Sequence, residues 1–122
     1  MNFQGHNVEV KKAIRLLKPA MELGGDLLGV SDLLALIEVG KMQLWYNDGA
    51  AGVTEITTYP NAKVCRIYLG GGNMKDLLDM KSSVEDFAKD QGCKYIEISG
   101  RKGWERIHKD YKIHSVLFRK EL

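Results

Sequence analysis

The residues with the clearest chemical potential in this chain are three consecutive glycines, Gly70–Gly72, followed by Asn73. Glycine tolerates positive φ and lets a ligand approach the backbone closely, so that successive amides can point into one concavity. If a helix begins directly after the run, its N-terminus adds a positive dipole end that favours phosphate. The same run is equally consistent with a tight strand-to-helix connection, and both interpretations stay open.

Three other side chains are candidates for proton transfer. His108 carries an imidazole, which exchanges protons near neutral pH. Glu55 and Glu97 each interrupt an apolar alternation, and a carboxylate in such a position could act as a base. That alternation is also typical of the solvent face of a strand, which is the commoner outcome for an isolated acid. Arg66 alternates in the same way and could pair with either carboxylate.

Composition limits the class of protein. The 122 residues correspond to one domain, and 44% hydrophobic with 28% charged residues excludes a disordered or fibrous chain. A net charge of +2 does not indicate nucleic acid as a partner. The chain lacks both a long uncharged apolar stretch and an N-terminal apolar region, so we expect an intracellular protein without a membrane span. Cys65 and Cys93 lack metal-ligand spacing, which predicts two free thiols and no metal.

Charge is unevenly distributed along the chain. Residues 21–62 carry one base and six acids, whereas residues 94–122 carry eight bases and four acids. Two solvated faces of opposite sign are the simplest explanation of this pattern. An acidic middle would also favour a cationic substrate, although weakly.

The periodicity of the hydrophobic residues predicts two helices before any strand. The first is capped by Asn7 and ends or kinks near Lys18, because Pro19 does not fit a regular helix interior. A short continuation through Met21 and Leu23 then stops at Gly24-Gly25. The second spans Asp32–Val39, with Ser31 as its cap and a glycine as its stop.

The middle of the chain predicts an antiparallel meander. Strands are expected at Met42–Tyr46, Gly52–Thr58 and Lys63–Leu69, and the first two are joined by the hairpin sequence Asn47-Asp48-Gly49. Three consecutive strands joined by short turns must be antiparallel.

The last third predicts two more helices and two more strands. A helix begins at Asn73, breaks or kinks near Ser82 and ends at Gly92. A strand at Tyr95–Ser99 then runs parallel to the third strand. A short helix, Lys102–Lys109, and a final strand, Ile113–Arg119, complete a single α+β domain.

The resulting order, α-α-β-β-β-α-β-α-β with a mixed sheet, resembles the GCN5-related N-acetyltransferase (GNAT) fold with its first strand missing or short. A more specific likeness is to small phage-encoded proteins of this fold, and it covers nearly the whole chain. The segments that carry it are Lys18-Pro19-Ala20, Gly24-Gly25, Gly40–Trp45, Gly71-Gly72-Asn73, Gln91-Gly92-Cys93, Ile96–Trp104 and Arg119–Leu122.

The chain departs from the family pattern at several positions. The Arg or Gln that usually begins the pyrophosphate loop is absent. The residues at the spacings of the family's terminal motif are not the usual ones; they are Arg101, Trp104, Ile107, His108, Lys112 and Ile113. Trp104 lies among basic residues and is interpreted as a core anchor or as a stacking surface.

The resemblance implies an acyl-CoA-dependent N-acyltransferase that transfers an acetyl group from acetyl-CoA to an amine. In that interpretation the strands Val64–Leu69 and Tyr95–Ser99 splay around the cofactor. Its binding residues would be Ile67, Leu69, Gly70, Gly71, Gly72, Asn73 and Met74. His108 would replace the family's tyrosine as the acid, and Glu97 or Glu55 would be the base. The nearby Tyr111 is an alternative acid or a packing residue.

The departures also support a different class of function. A catalytically inactive GNAT-fold protein could serve in a phage virion or its assembly, or could bind a host protein. The resemblance then implies the host cytoplasm or the virion as its location. The sequence specifies neither the amine acceptor nor the protein partner.

Overall fold

The computed structural model describes residues 8–23, 27–99 and 108–122. Within these ranges the chain forms three helices and one four-stranded sheet. Their bounds are α1 Val8–Leu23, α2 Val30–Glu38, β1 Met42–Tyr46, β2 Ala50–Thr58, β3 Lys63–Gly72, α3 Met74–Asp90 and β4 Tyr95–Ile98. The strand order is β1-β2-β3-β4, with the first three strands antiparallel and β4 parallel to β3. The expected α+β class and mixed sheet are therefore confirmed.

Helix α1 continues through Pro19 to Leu23, so the helix does not end near Lys18, and the expected continuation through Met21 and Leu23 is confirmed. A proline inside a helix costs about 3 kcal/mol. On either side of it, Leu17 is 0% exposed and Met21 is 7% exposed. Burial of such side chains contributes roughly 1.5–3 kcal/mol each, which offsets the cost of the proline. Asn7, the expected cap, lies outside the described residues.

Helix α2 begins slightly earlier than expected. Its N-cap is Gly29 rather than Ser31, and the Gly29 amide donates to the Asp32 carboxylate at 3.0 Å. The acidic side chain in the first turn also complements the helix dipole. At the other end Gly40 has φ of +80°, the left-handed conformation that ends a helix, as expected.

The meander forms at the expected places, with β2 and β3 longer than expected. At the hairpin, the Asn47 side-chain oxygen accepts from the Ala50 amide at 3.0 Å, and the Asn47 amide donates to the Ala50 carbonyl at 3.0 Å. The side-chain NH₂ group of Asn47 also donates to the backbone carbonyl of Asp76 at 2.9 Å, which fixes the hairpin against the start of α3. The hairpin signal therefore encodes a tertiary contact as well as a turn.

Helix α3 begins as expected and ends at Asp90, just before the expected stop at Gly92. Asn73 is its N-cap and accepts from the Asp76 amide at 2.9 Å. The helix runs without interruption to Asp90, so the break expected near Ser82 is wrong. Val84 and Ala88 are buried on its inner side. These contacts after Ser82 keep the helix in register and override the local capping signal.

The two faces of the sheet are covered by different helices. Alternation along β1 places Leu44 on one face, in a core with α1 and α2. Trp45 lies on the other face, where its ring meets Phe87 of α3 edge-on, with 5.3 Å between the centroids. The Trp45 indole donates to the Thr54 hydroxyl at 2.9 Å, so this buried polar group is satisfied.

The C-terminal residues differ from the expectation. No strand forms at Ile113–Arg119, and residues 112–122 are all exposed and belong to no helix or strand. Most of the expected short helix, Lys102–Lys109, lies outside the described residues, and its last two positions are not helical. Among the described helices, none is long and apolar enough to cross a membrane.

The glycine run does not form a loop as expected, because Gly70–Gly72 are the last residues of β3. Gly71 packs against the backbone of α1, and a Cβ at this position would collide with the Leu16 carbonyl. Gly72 has φ of +107° and packs against the Gly49 carbonyl. Two of the three glycines are therefore required by close packing of the backbone.

This packing predicts the effect of adding a single methyl group. Gly71→Ala is expected to lower the free energy of unfolding by about 1–3 kcal/mol, because overpacking against the backbone of α1 cannot be relieved by a rotamer change. Gly52→Ala is the matched control, since a Cβ at that strand position would meet the Leu69 carbonyl at 3.5 Å, an ordinary contact. Urea unfolding of both variants measures the difference, and equal stabilities would contradict the packing assignment.

Candidate functional site

The main structural feature of the candidate site is a divergence of β3 from β4. Their parallel pairing covers only Val64 to Ile67 on β3, and the last contact is the Ser99 amide donating to the Ile67 carbonyl at 3.4 Å. Beyond that point β3 continues for five residues with β2 as its partner. Among the described residues, this leaves the β4 side of Tyr68–Gly72 without a strand partner.

A β-bulge marks the point of divergence. Val53 pairs with Leu69 and Thr54 pairs with Ile67, so Tyr68 is the extra residue on β3. A bulge bends its strand and increases the local twist, which turns the end of β3 away from a neighbour that lacks the same bend. The periodicity of the sequence could not reveal the bulge, because Tyr68 is an ordinary strand residue.

The divergence leaves two of the glycine backbones facing the gap. The Ala50 backbone bonds to Asn47 of the hairpin, on the β1 side, so by alternation the amide and carbonyl of Ala51 face β3, where its partner is Gly71. The amides of Gly70 and Gly72 then point away from β2, into the gap beside β4. The expectation that the glycine run presents amides to an opening applies to these two residues only.

The N-terminus of α3 lies at the same place. Of its first amides, that of Asn73 donates to the Gly49 carbonyl and that of Asp76 to the Asn73 side chain. The amides of Met74 and Lys75 have no acceptor in the described part of the chain, as geometry dictates for a first turn. These two residues are exposed, so their amides are accessible to an anion.

The carboxylate of Asp76 lies at the same helix end and would compete with an anionic ligand. The Asp76 carboxylate accepts from the Asn73 side-chain amide at 2.6 Å, and both side chains lie against Gly49 of the hairpin. Its negative charge already complements part of the helix dipole. An anionic ligand would therefore have to bind on the Met74 and Lys75 side of this turn.

The structure brings the two candidate bases together around Arg66. Strand register places Glu55, Arg66 and Glu97 side by side in one row across the sheet. Arg66 pairs with Glu97 at 3.6 Å, and both side chains are about two-fifths exposed, 43% and 42%. Met42 continues the row and belongs to the core with α1 and α2, so the carboxylates lie on that face.

His108 lies on the opposite face. It is buried, 9% exposed, and its ring meets Tyr111 edge-on with 5.6 Å between the centroids. Tyr111 in turn donates to Glu85 of α3 at 2.6 Å. His108 is therefore separated from Glu55 and Glu97, which lie on the other face of the sheet.

Burial controls the charge of His108. Desolvation lowers the pKa of its imidazole below 6.5, and the positive charge of Lys81 lowers it further. Near pH 7 the side chain is therefore neutral, a form that accepts a proton but has none to give as an imidazolium. This state differs from the proton donor that the sequence interpretation assigns to His108.

The Tyr111–Glu85 pair is a feature that the sequence interpretation missed. Burial, followed by the hydrogen bond to Glu85, raises the pKa of Tyr111 well above 10, so the phenol stays protonated. Lys81 lies over the Tyr111 ring, 4.7 Å from its centroid, and pairs with Asp110 at 2.7 Å. The spacing of Glu85 from Tyr111 in the sequence carries no signal for this contact, because it joins a helix to a segment 26 residues away.

The two cysteines are free thiols, as expected. Burial, with a smaller contribution from Cys93, raises the pKa of Cys65 to about 11. A thiol with that pKa is not a nucleophile near neutral pH. Among the described residues, no group of three or more His, Cys, Asp or Glu side chains is positioned to hold a metal ion.

Several residues singled out in the sequence lie outside the described parts of the chain. These are Gly24-Gly25 and the segment 100–107, which includes Arg101, Trp104 and Ile107. The position of Trp104 therefore stays a prediction.

Comparison with known proteins identifies the fold. A transcriptional regulator from Bacillus halodurans C-125 has a TM-score of 0.70 and 13% identity, with 98% of this chain and 97% of that chain covered. A GNAT family acetyltransferase from Staphylococcus aureus has a TM-score of 0.60 and 16% identity, with 97% and 95% covered. An aminoglycoside N-acetyltransferase solved in complex with CoA has a TM-score of 0.65 and 10% identity, with 93% and 86% covered.

These similarities show that the chain has the fold of GNAT acetyltransferases. No protein-family model matches the sequence, and no curated protein matches it. At such low identities the shared property is the fold. The fold that the resemblance implied is therefore confirmed.

The burial of His108 predicts its titration. In a histidine-selective NMR titration, one imidazole should titrate below pH 6.5, and the corresponding resonance should be missing in His108→Gln. Because its pKa is lowered in the folded state, the unfolded chain binds a proton more readily. The contribution of the neutral His108 to the free energy of unfolding is therefore present above pH 6.5 and is lost as the pH falls through the lowered pKa. A His108 resonance that titrates above pH 6.5 would contradict this assignment.

Proposed function

We propose that this protein is an acyl-CoA-dependent N-acyltransferase that transfers an acetyl group to an amine. The observation that carries the proposal is the divergence of β3 from β4 beside the exposed N-terminus of α3. A gap between parallel strands next to unpaired amides can accept an extended, phosphorylated carrier. The GNAT fold of the chain supports the proposal, since one acetyltransferase of that fold has been solved in complex with CoA.

The residues at the gap fit the groups of acetyl-CoA. The amides of Gly70 and Gly72, with those of Met74 and Lys75, offer donors for the phosphate oxygens of a pyrophosphate. Lys75 adds a positive charge that offsets the nearby Asp76. Backbone groups of Ile67 and Leu69 would then hydrogen-bond the pantetheine amides. When bound, the cofactor would supply an acyl thioester, which is activated towards attack by an amine.

The carboxylates flanking Arg66 provide the second part of the proposed chemistry. Two acids and one base in a half-exposed row attract an ammonium group. An ammonium must lose a proton before its nitrogen can attack, and Glu97 or Glu55 would accept that proton. The acceptor class that this row favours is a small cationic amine.

His108 is the proposed donor of the proton that the leaving thiolate requires. Because its pKa is lowered, only the small protonated fraction is competent near pH 7. The rate of transfer through His108 would therefore rise as the pH falls through the lowered pKa. Tyr111 is a weaker candidate, because its raised pKa makes proton release less favourable.

The proposed pyrophosphate site predicts the effect of a charge at the start of α3. Met74→Glu should weaken binding of acetyl-CoA by about tenfold, since one opposed charge interaction of about 1.4 kcal/mol corresponds to that factor. Leu78→Glu is the matched control: the two side chains are similarly exposed, 36% and 38%, and the charge lies one turn further along α3. Isothermal titration calorimetry measures both dissociation constants.

Thermal stability provides a second readout of the same binding. A ligand at a hundredfold excess over its dissociation constant stabilises the folded chain by about 2.7 kcal/mol. If millimolar acetyl-CoA leaves the melting temperature unchanged, or if both glutamate variants bind equally, the proposed site is wrong.

The proposed role of His108 predicts a pH profile. With a panel of primary amines as acceptors, release of free thiol from acetyl-CoA should increase from pH 7 to pH 5 and should fall at least tenfold in His108→Asn, with an unchanged dissociation constant. A rate that is independent of pH over this range and equal in the variant would exclude His108 from the reaction.

A second candidate function is a binding protein that has the GNAT fold but not the chemistry. It is favoured by the start of α3, where Asp76 lies in the first turn and the Gly71 and Gly72 backbones pack against α1 and the hairpin. In that case the proposal is a role in a phage virion or its assembly, or in the host cytoplasm bound to a host protein. Detection of the chain in purified particles, together with no binding of acetyl-CoA, would favour this function.

A further inference from the structure

A groove of about 580 Å³ lies between helices α1 and α2. Its floor is apolar and consists of Val10, Ile14, Val30 and Leu34. Val10 and Ile14 are 2% and 6% exposed and belong to the core, and the two residues of α2 pack against that core. A partner that fills the groove would therefore extend the hydrophobic core of the domain outwards.

One wall of the groove is positively charged. Lys11, Arg15 and Lys18 line it, and all three are exposed. Their spacing is i, i+4 and i+7, so they lie on one side of α1 and follow its axis for about 10 Å. Neither of the two ion pairs formed within the described ranges includes any of these three residues.

The acids of α1 and α2 leave this wall with an excess of positive charge. Glu9 lies on the other side of α1, where the Tyr46 hydroxyl donates to it at 3.5 Å. Asp32 accepts from a backbone amide at the start of α2. Glu22 follows Lys18 by one turn and balances at most one of the three cations. Two acids and three bases are present in the remaining residues, 1–7, 24–26 and 100–107, so these segments add no excess of acid.

An apolar floor beside a cationic wall selects the chemistry of the occupant. The occupant needs apolar groups that enter the groove and carboxylates along one side of them. A cationic amine, the acceptor class proposed above, is repelled by this wall, so the groove is separate from the proposed acetyl-transfer site. A nucleic acid would use the cations and leave the floor unfilled. A flat lipid surface would not reach side chains that are only 2% and 6% exposed.

The spacing of the cations favours a helix as the occupant. In a helix packed lengthwise beside α1, carboxylates at i, i+4 and i+7 recur with the same rise and face the three cations. Apolar residues on the neighbouring stripe of that helix then enter the groove between α1 and α2, as side-chain ridges do when helices pack.

We propose that the groove binds an acidic amphipathic helix of a partner protein. Carboxylates of that helix pair with Lys11, Arg15 and Lys18, and its apolar stripe covers the floor. Val8, which lines the groove and is 78% exposed, is covered at the same time. The proposal does not depend on acetyl-CoA binding.

The probe is a synthetic helical peptide of alanine, leucine and glutamate. Its leucines stand at i, i+4, i+7 and i+11, and a glutamate follows each leucine, which gives adjacent apolar and acidic stripes. Fluorescence anisotropy with the full chain should show saturable binding at micromolar concentrations that weakens as salt is added. The same peptide with glutamine in place of every glutamate should bind at least tenfold more weakly.

Two neighbouring lysines of α1 provide a matched pair of variants. Lys11 lines the groove, whereas Lys12 is exposed beside it and is not part of the lining. Lys11→Glu should weaken binding of the acidic peptide at least tenfold, and Lys12→Glu should change it less than twofold. Far-UV circular dichroism checks that both variants remain folded.

Two valines test the apolar part of the groove without a change of charge. Val8→Ser should weaken binding of the acidic peptide at least threefold. Val39→Ser is the matched control, because Val39 is 68% exposed at the end of α2, outside the groove, and its replacement should leave binding unchanged.

Each of four results would overturn the proposal. If the acidic peptide does not bind, or the glutamine peptide binds equally well, the wall does not select an acidic helix. If the two lysine variants have equal effects, the peptide binds elsewhere. If the chain alone forms a dimer in sedimentation equilibrium that Lys11→Glu dissociates, the occupant is a second copy. If the chain binds vesicles of anionic lipid and both lysine variants weaken that binding equally, the cations serve a membrane surface.

Discussion

Contact between backbones at the end of β3 is the constraint on which the rest of the structure depends. At Gly71 the strand touches the backbone of α1, and at Gly72 it touches the hairpin between β1 and β2. No side chain fits at either contact without displacing a main chain. The same two residues lead directly into the cap of α3 at Asn73. One short segment of strand therefore fixes the positions of α1, the hairpin and α3 relative to one another.

This constraint changes the meaning of the glycine run. Gly71 and Gly72 are accounted for by packing, so their presence is not evidence of a ligand. What supports binding is the direction of the Gly70 and Gly72 amides, together with the free first turn of α3. The direction of the glycine amides follows from the register of β3 with β2, and the bulge at Tyr68 turns this end of β3 away from β4. The unpaired amides of Met74 and Lys75 follow from the geometry of a helix start. The opening is thus produced by strand geometry, and the glycines allow the neighbouring elements to pack around it.

The polar groups of the candidate site are divided between the two faces of the sheet. Glu55 and Glu97 flank Arg66 on the face of α1 and α2, where the carboxylates are accessible to solvent. His108 and Tyr111 lie on the face of α3, where burial favours the neutral form of each. An acceptor amine and a leaving thiolate would accordingly meet different groups on opposite sides of the gap.

The sequence by itself determined the elements that depend on local interactions. β1 and its hairpin, the Asn73 cap of α3 and the parallel fourth strand all follow from residue periodicity and turn chemistry, which act over a few residues. It also identified the order of elements that resembles the GNAT fold.

Tertiary structure decided whatever depends on distant partners. Burial of Leu17 and Met21 carries α1 through Pro19, and backbone contacts place the glycines inside β3. The pairing of Tyr111 with Glu85 joins segments far apart in the chain. Residues 112–122 form no strand, although their sequence favours one, because a strand also needs a partner that the sequence of the segment does not specify. Such contacts depend on which surfaces meet after folding, and local periodicity carries no record of them.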